Sequence, residues 1–161
     1  MCIRDSHATS GTALKIHYDD SRQRDLLKPE TVWEIEGALA LTAPKIHAAS
    51  TMRSRWYKAV LGLFERYDLL ALPSAQVFAF EAETHWPSEV AGRKMDSYHR
   101  WMEVTAFATM AGCPVANVPV GFDKAGRAMG MQLIGRPRAD AEVLSAAADY
   151  EQVLGIVAGV S

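Results

Sequence analysis

Three sets of side chains in this sequence are of types that do chemistry. Asp96, His99 and Glu103 are spaced three and four apart, which puts them along one helix face, and His85 precedes them. Carboxylates and imidazoles so arranged could hold a metal ion or share a proton in acid–base catalysis. The competing reading, a solvated polar face opposite the apolar stripe that carries Trp101, needs no ligand and is the one adopted. Cys113 could serve as a thiol nucleophile. It stands where a helix ends, however, and the negative end of a helix dipole raises a thiol pKa, so packing is the expected role. Phe78, Phe80 and Trp86 either line an apolar substrate pocket or pin down their own loop.

The strong catalytic signatures are missing from the chain. It holds no G-x-S-x-G, H-E-x-x-H, phosphate-binding loop or paired C-x-x-C. Gly126, Gly130 and Gly135 sit in and beside a strand pattern rather than in a strand-to-helix turn, which removes the dinucleotide fingerprint. The two cysteines, Cys2 and Cys113, are far apart and make neither a metal-ligand spacing nor a disulfide framework.

The elements that would position these residues centre on residues 111–137. Residues 115–120 are rich in β-branched, apolar valine, and residues 128–134 alternate small or polar side chains with bulky ones, the period of a half-buried strand. Gly121 and Gly126 bracket a short connection where a reversal needs positive φ, so an antiparallel pair is expected. Pro119 cannot donate to a ladder and calls for an edge or a bulge. Gly130 invites close approach by another backbone or a ligand.

Upstream, Pro29 opens a helix expected to reach about Leu41, with Glu30, Glu34 and Glu36 toward its positive end. A second helix is expected from Thr42 to Arg66, with Ile46, Ala49, Trp56, Val60, Leu63 and Tyr67 on its core stripe. Arg53 falls on that stripe, so it either pairs with Asp68 or Glu34 or snorkels to solvent. Residues 67–73 read as a strand apolar on both faces, as in the middle of a covered sheet. Residues 74–94 form a long irregular connection whose aromatics argue for an ordered pocket wall or lid. A helix capped by Asp96 or Ser97 should run to Ala111 with Tyr98, Trp101, Thr105 and Ala108 on one face. A last helix, capped by Asp140 and ended by Gly155, carries Val143, Leu144, Ala147, Ala148, Tyr150 and Leu154. The fold class is α/β, with helices packed on a sheet.

Residues 1–20 show no periodic signal. They are expected to be a non-native or disordered stretch ahead of a domain over residues 21–161, although residues 13–18 could form a short strand. With 161 residues, 49% hydrophobic and 22% charged, the chain holds one domain's worth of core. A net charge of -2 and a pI near 6.2 leave no electrostatic footprint for nucleic acid or an anionic membrane surface, and no apolar run approaches a bilayer span. A soluble, cytoplasmic protein is the expectation.

Four blocks, in order, resemble the C-terminal part of amidase signature family hydrolases: YDLLALPS (67–74), HWPSEVAGRKMDSYHRWM (85–102), AGCPVANVPVGF (111–122) and GMQLIGRPRADAEVL (130–144). The similarity covers roughly residues 27–155. The resemblance implies a large α/β/α protein with a mixed sheet and a C-terminal antiparallel strand pair, hydrolysing a carboxamide. The family's serine nucleophile is activated by a second serine in a cis peptide and a lysine, and a Gly/Ser-rich loop holds the oxyanion. A serine hydroxyl needs such a base, and the tetrahedral oxyanion needs preorganised donors.

This chain has no Ser-Ser and no Gly-Gly dipeptide, and Lys15, Lys28, Lys45, Lys58, Lys94 and Lys124 lack the family context of the catalytic base. No catalytic residue is therefore carried over. The expectation is the C-terminal part of an amidase, inactive and poorly soluble by itself. By resemblance, Gln76, Phe78 and Trp86 in residues 74–86 would line the pocket for a small-molecule amide. No cofactor or metal is implied, and a homodimer is left open for the full-length protein. The alternatives are a subunit releasing ammonia from glutamine for transamidation, and a non-catalytic binding or scaffold module.

Overall fold

The computed structural model describes residues 4 and 6–155; Cys2 and the end of the chain lie outside them. The chain divides into two compact units, Met1–Trp56 and Tyr57–Ser161.

In the first unit a π-helical turn, His7–Gly11, leads into α1 (Thr12–Asp19), and after α2 (Ser21–Arg24) the chain enters α3 (Pro29–Leu39). Residues 13–18 are thus helical, not a strand. The cause is tertiary: α1 packs on α3, with Tyr18 Oη donating to Glu36 Oε1 at 3.0 Å, and Lys15 pairs with Asp19 one turn on. Such contacts override the missing periodicity. Beneath α1, His7 is buried beside Glu34, with Nδ1 3.1 Å from the Glu34 carbonyl and 3.5 Å from its carboxylate, and its ring tilts on Trp33 at 4.7 Å. Gly37 makes room, since a Cβ there would overlap the imidazole. Pro29 occupies the first turn of α3, as expected.

The helix α4 (Ala43–Leu63) crosses the boundary between the units. Ala49 and Val60 on its expected stripe are buried, while Ile46, Leu63 and Tyr67 remain exposed. Arg53 is exposed too, so the penalty of a buried cation does not arise.

The second unit is built on a three-stranded sheet. β1 (Leu70–Pro73) and β4 (Val115–Phe122) flank β5 (Ala128–Ile134), and both pairings are antiparallel. The connection after β1 holds a two-residue hairpin, β2 (Glu89–Val90) with β3 (Arg93–Lys94). The expected hairpin of β4 and β5 is present, and the ladder shifts register between Pro119 and Gly121, where proline withholds its donor. β1 is shorter than expected and lies at an edge, its residues alternately half-buried and exposed. The central position belongs to β5, whose Gln132, Leu133 and Ile134 are buried.

The expected helix over residues 97–111 is divided into α5 (Tyr98–Trp101) and α6 (Glu103–Ala111) at Met102. The Val104 N–H, free at the new helix start, donates to Gln76 Oε1 at 3.1 Å, and Thr105 Oγ1 donates to Met102 O at 2.8 Å. Gly112 then ends α6 in the left-handed region, with φ 63°. The final helix, α7 (Asp140–Leu154), packs on β4 and β5 and buries Val143 against Gly135, where any Cβ would collide with the valine. Its N-cap is Ala139, so Asp140 is the first helical residue rather than a cap, and Leu144 and Leu154 are exposed. Gly155 terminates it at φ 60°, as anticipated. Full burial of Ile134 and Val143 contributes roughly 1.5–3 kcal/mol each.

Candidate functional site

A cavity of about 480 Å³ opens in the second unit where the chain leaves β1 and folds back beside β4 and β5. Pro73 ends the strand, and the Ser74 N–H makes a last ladder-like bond to Gly130 O at 2.9 Å. The following segment is then held at two points. Gln76 takes the Val104 N–H at the start of α6, and Arg127 in the β4–β5 turn donates to Ala79 O at 3.4 Å, its guanidinium 5.4 Å from the Phe78 ring centre. Asp123 fixes that arginine: it accepts from the backbone N–H groups of Ala125 and Arg127 and from Arg127 Nε at 2.8 Å. Those bonds, led by the Arg127 N–H, hold the Asp123 carboxyl below the ordinary aspartate range.

The walls are aromatic and aliphatic. Phe78, Phe80 and Trp101 line one side, Val118 and Met129 the other, and no charged side chain is among the lining residues. Phe80 and Trp101 meet edge to face at 5.6 Å, and Trp101 is braced in turn by Tyr98 at 5.8 Å. Apart from the Trp101 indole, only Ser74 and Asn117 bring polar groups on side chains, and they bond to each other, Ser74 Oγ donating to Asn117 Oδ1 at 2.8 Å. A carboxamide is no base, so this pairing does not activate the serine as a nucleophile. None of the six lysines is buried, and none lines the cavity.

Of the residues singled out in the sequence, Phe78 stands in the cavity wall. Gln76 lies behind it as the partner of α6. Trp86 makes an edge contact to Tyr98 at 6.1 Å, two rings from the cavity. Trp101, expected on a core stripe, contributes wall instead, at the end of α5 just before the break at Met102. The Ser74–Asn117 pair has a partial signal in the sequence: Gly130 is a point of close approach, without indication of what approaches.

The residues expected on one polar helix face are divided, with Asp96 ahead of α5, His99 in it and Glu103 opening α6, and the two carboxylates are taken up in ion pairs. Arg100 donates to Asp96 through Nε at 3.0 Å and Nη2 at 3.2 Å and lies 3.9 Å from Glu103, which also accepts from Arg93 at 2.8 Å. The guanidinium lowers the Asp96 pKa. Among the described residues no group of three or more His, Cys, Asp or Glu could hold a metal ion. Burial pushes the Cys113 thiol up, away from the thiolate that a nucleophile requires. No described helix is long and apolar enough to cross a membrane.

Comparison with known proteins places these features. The chain is 29% identical over 147 residues to a fatty acid amide hydrolase of Medicago truncatula, a match covering 90% of this chain and 22% of that protein. It is 42% identical over 89 residues to a glutamyl-tRNA(Gln) amidotransferase subunit of Moorella thermoacetica, covering 55% of this chain and 17% of the relative. The solved structure of a bacterial aryl acylamidase of the amidase signature family superposes with a TM-score of 0.75 at 27% identity, over 90% of this chain and 30% of the other. The chain thus spans about a fifth of the length of these two curated relatives. The Amidase family model matches residues 4–144, and the chain belongs to that family.

Proposed function

We propose that this chain is the C-terminal part of an amide hydrolase and supplies one wall of its substrate pocket, while the serine nucleophile, its base and the oxyanion donors come from a segment encoded outside these residues. The observation that carries this reading is the uncharged aromatic cavity, in a chain whose one cavity serine faces a carboxamide. Phe78 contacts the substrate in this reading, and Gln76 and Trp86 support that wall. Apolar side chains left in solvent, Phe122 at 77% and Val153 at 82% exposed, fit a surface that packs on further protein.

The 42% identity to an amidotransferase subunit favours glutamine as a second reading. The cavity chemistry opposes it. Glutamine carries an ammonium and a carboxylate, and desolvating either without a partner costs several kcal/mol, so an amide with an apolar acyl or aryl group fits better. A binding module without turnover would use the same cavity. Purified chain should bind acetanilide, resist competition by glutamine, and show no saturable hydrolysis. Turnover by the chain alone, or displacement by glutamine, would overturn the reading.

A further inference from the structure

Asn117, Ser74 and the Trp101 indole bring the hydrogen-bonding side chains to an otherwise apolar cavity, and the bond between Ser74 and Asn117 fixes how the carboxamide is presented. Ser74 has little freedom to turn away. Its N–H is tied to Gly130 O, and its hydroxyl sits against the bare Cα of Gly130, where a Cβ would lie 2.6 Å from Oγ. With Oδ1 accepting from Ser74, the two Nδ2 hydrogens of Asn117 have no protein acceptor among the described residues. Water satisfies them while the cavity is open, since Asn117 is exposed. A ligand that fills the cavity removes that water.

We propose that Asn117 is a specificity residue: the apolar group seated in this cavity carries one hydrogen-bond acceptor, a carbonyl or ether oxygen, which Asn117 Nδ2 receives in place of water. The proposal rests on the cavity being a substrate wall. Apolar walls discriminate weakly between groups of similar size, whereas a site with an unspent donor rejects the analogue that lacks the matching acceptor, because the donor is then stripped of water and left unpaired. Ser74 is the positioning residue that holds the carboxamide oxygen and so turns the donor outward.

The test is the binding of two neutral amides of matched shape, 4-acetylacetanilide and 4-isopropylacetanilide, to the purified 161-residue chain, followed by chemical-shift titration. The acetyl compound should bind about fivefold more tightly, the worth of one neutral hydrogen bond. Asn117→Leu should bring the two affinities together and raise the isopropyl affinity, because the donor that its binding strips of water is gone. Asn117→Asp preserves an acceptor for Ser74 but removes the donors, and it should abolish the preference in a chain whose Ser74 bond is intact. Equal binding of both compounds to the native chain, or a preference that survives both substitutions, overturns the role of Asn117 and leaves the substrate wall standing. If neither compound binds, the wall itself is refuted and the proposal falls with it.

Discussion

Ser74 follows the end of β1 and Asn117 lies within β4, two strands that are not neighbours, and the 2.8 Å hydrogen bond between them passes over Gly130 of the strand in the middle. The crossing is possible because Gly130 carries no side chain; a Cβ there would stand 2.6 Å from Ser74 Oγ and 3.2 Å from Val118 O. One glycine therefore joins strand pairing to the polar chemistry of the cavity.

Gly130→Ala is expected to expel the Ser74 hydroxyl and lower stability by about 1–3 kcal/mol, the usual penalty for overpacking a close contact. Urea unfolding of the variant measures the loss. Adding Ser74→Ala should return part of it, because the nearest obstructing atom is gone while Val118 O stays. Strictly additive losses in the pair would show that the two residues do not interact.

The hairpin of β4 and β5, the irregularity at Pro119 and the close approach at Gly130 were all legible because each depends on local backbone chemistry: a missing donor or a missing Cβ. The place of β1 in the sheet was not. Leu70 and Leu72 read as buried on both sides, but how many neighbours a strand has is decided by segments far away in sequence. The helix over residues 12–19 was hidden for a related reason, since α3 stabilises it rather than its own periodicity. In the cavity, Phe78 was visible as an aromatic in a loop. Asn117 was not, because a lone asparagine in a strand gains meaning only from the serine folded over against it.

Gln132 is buried and binds three segments, donating through Nε2 to Pro73 O at 2.8 Å and Val104 O at 3.4 Å from the central strand. Gln132→Leu leaves those carbonyls without this donor. A loss of about 1–3 kcal/mol is expected, most of it from the shorter bond to Pro73, and chemical denaturation should register it. Residues around Val104 should also exchange amide hydrogens faster, because the hold between β5 and α6 is weakened. Unchanged stability and exchange would show that neither bond matters.

Asp123 gives the cavity rim a dependence on acid. Its carboxyl is held below the ordinary aspartate range by the Arg127 backbone N–H and guanidinium, so the turn's contribution to stability is complete above that range and is lost as pH falls through the lowered value. Protonation should loosen Arg127 from Ala79 O and from the Phe78 ring. A carboxyl NMR titration should place the Asp123 midpoint below that of an unperturbed aspartate, with the Ala79 and Ala125 signals moving in step. Asp123→Asn should remove the transition. A midpoint at or above the ordinary value would contradict the described turn.

Cys113 should behave as a packed thiol. Burial raises its pKa, so the folded state keeps the proton to higher pH than the unfolded chain does, and the thiol stays protonated and poorly nucleophilic near neutrality. In a Cys2→Ser chain, where Cys113 is the sole thiol, alkylation by iodoacetamide at about pH 7.5, below the ordinary thiol pKa, should be slower in the folded protein than in urea, and the gap should narrow as the pH climbs through the raised value. The same linkage makes stability fall with rising pH once an unfolded thiol would ionise, because only the unfolded chain then releases its proton readily. Folded-state alkylation as fast as in urea at neutral pH would mean that the side chain is neither desolvated nor packed.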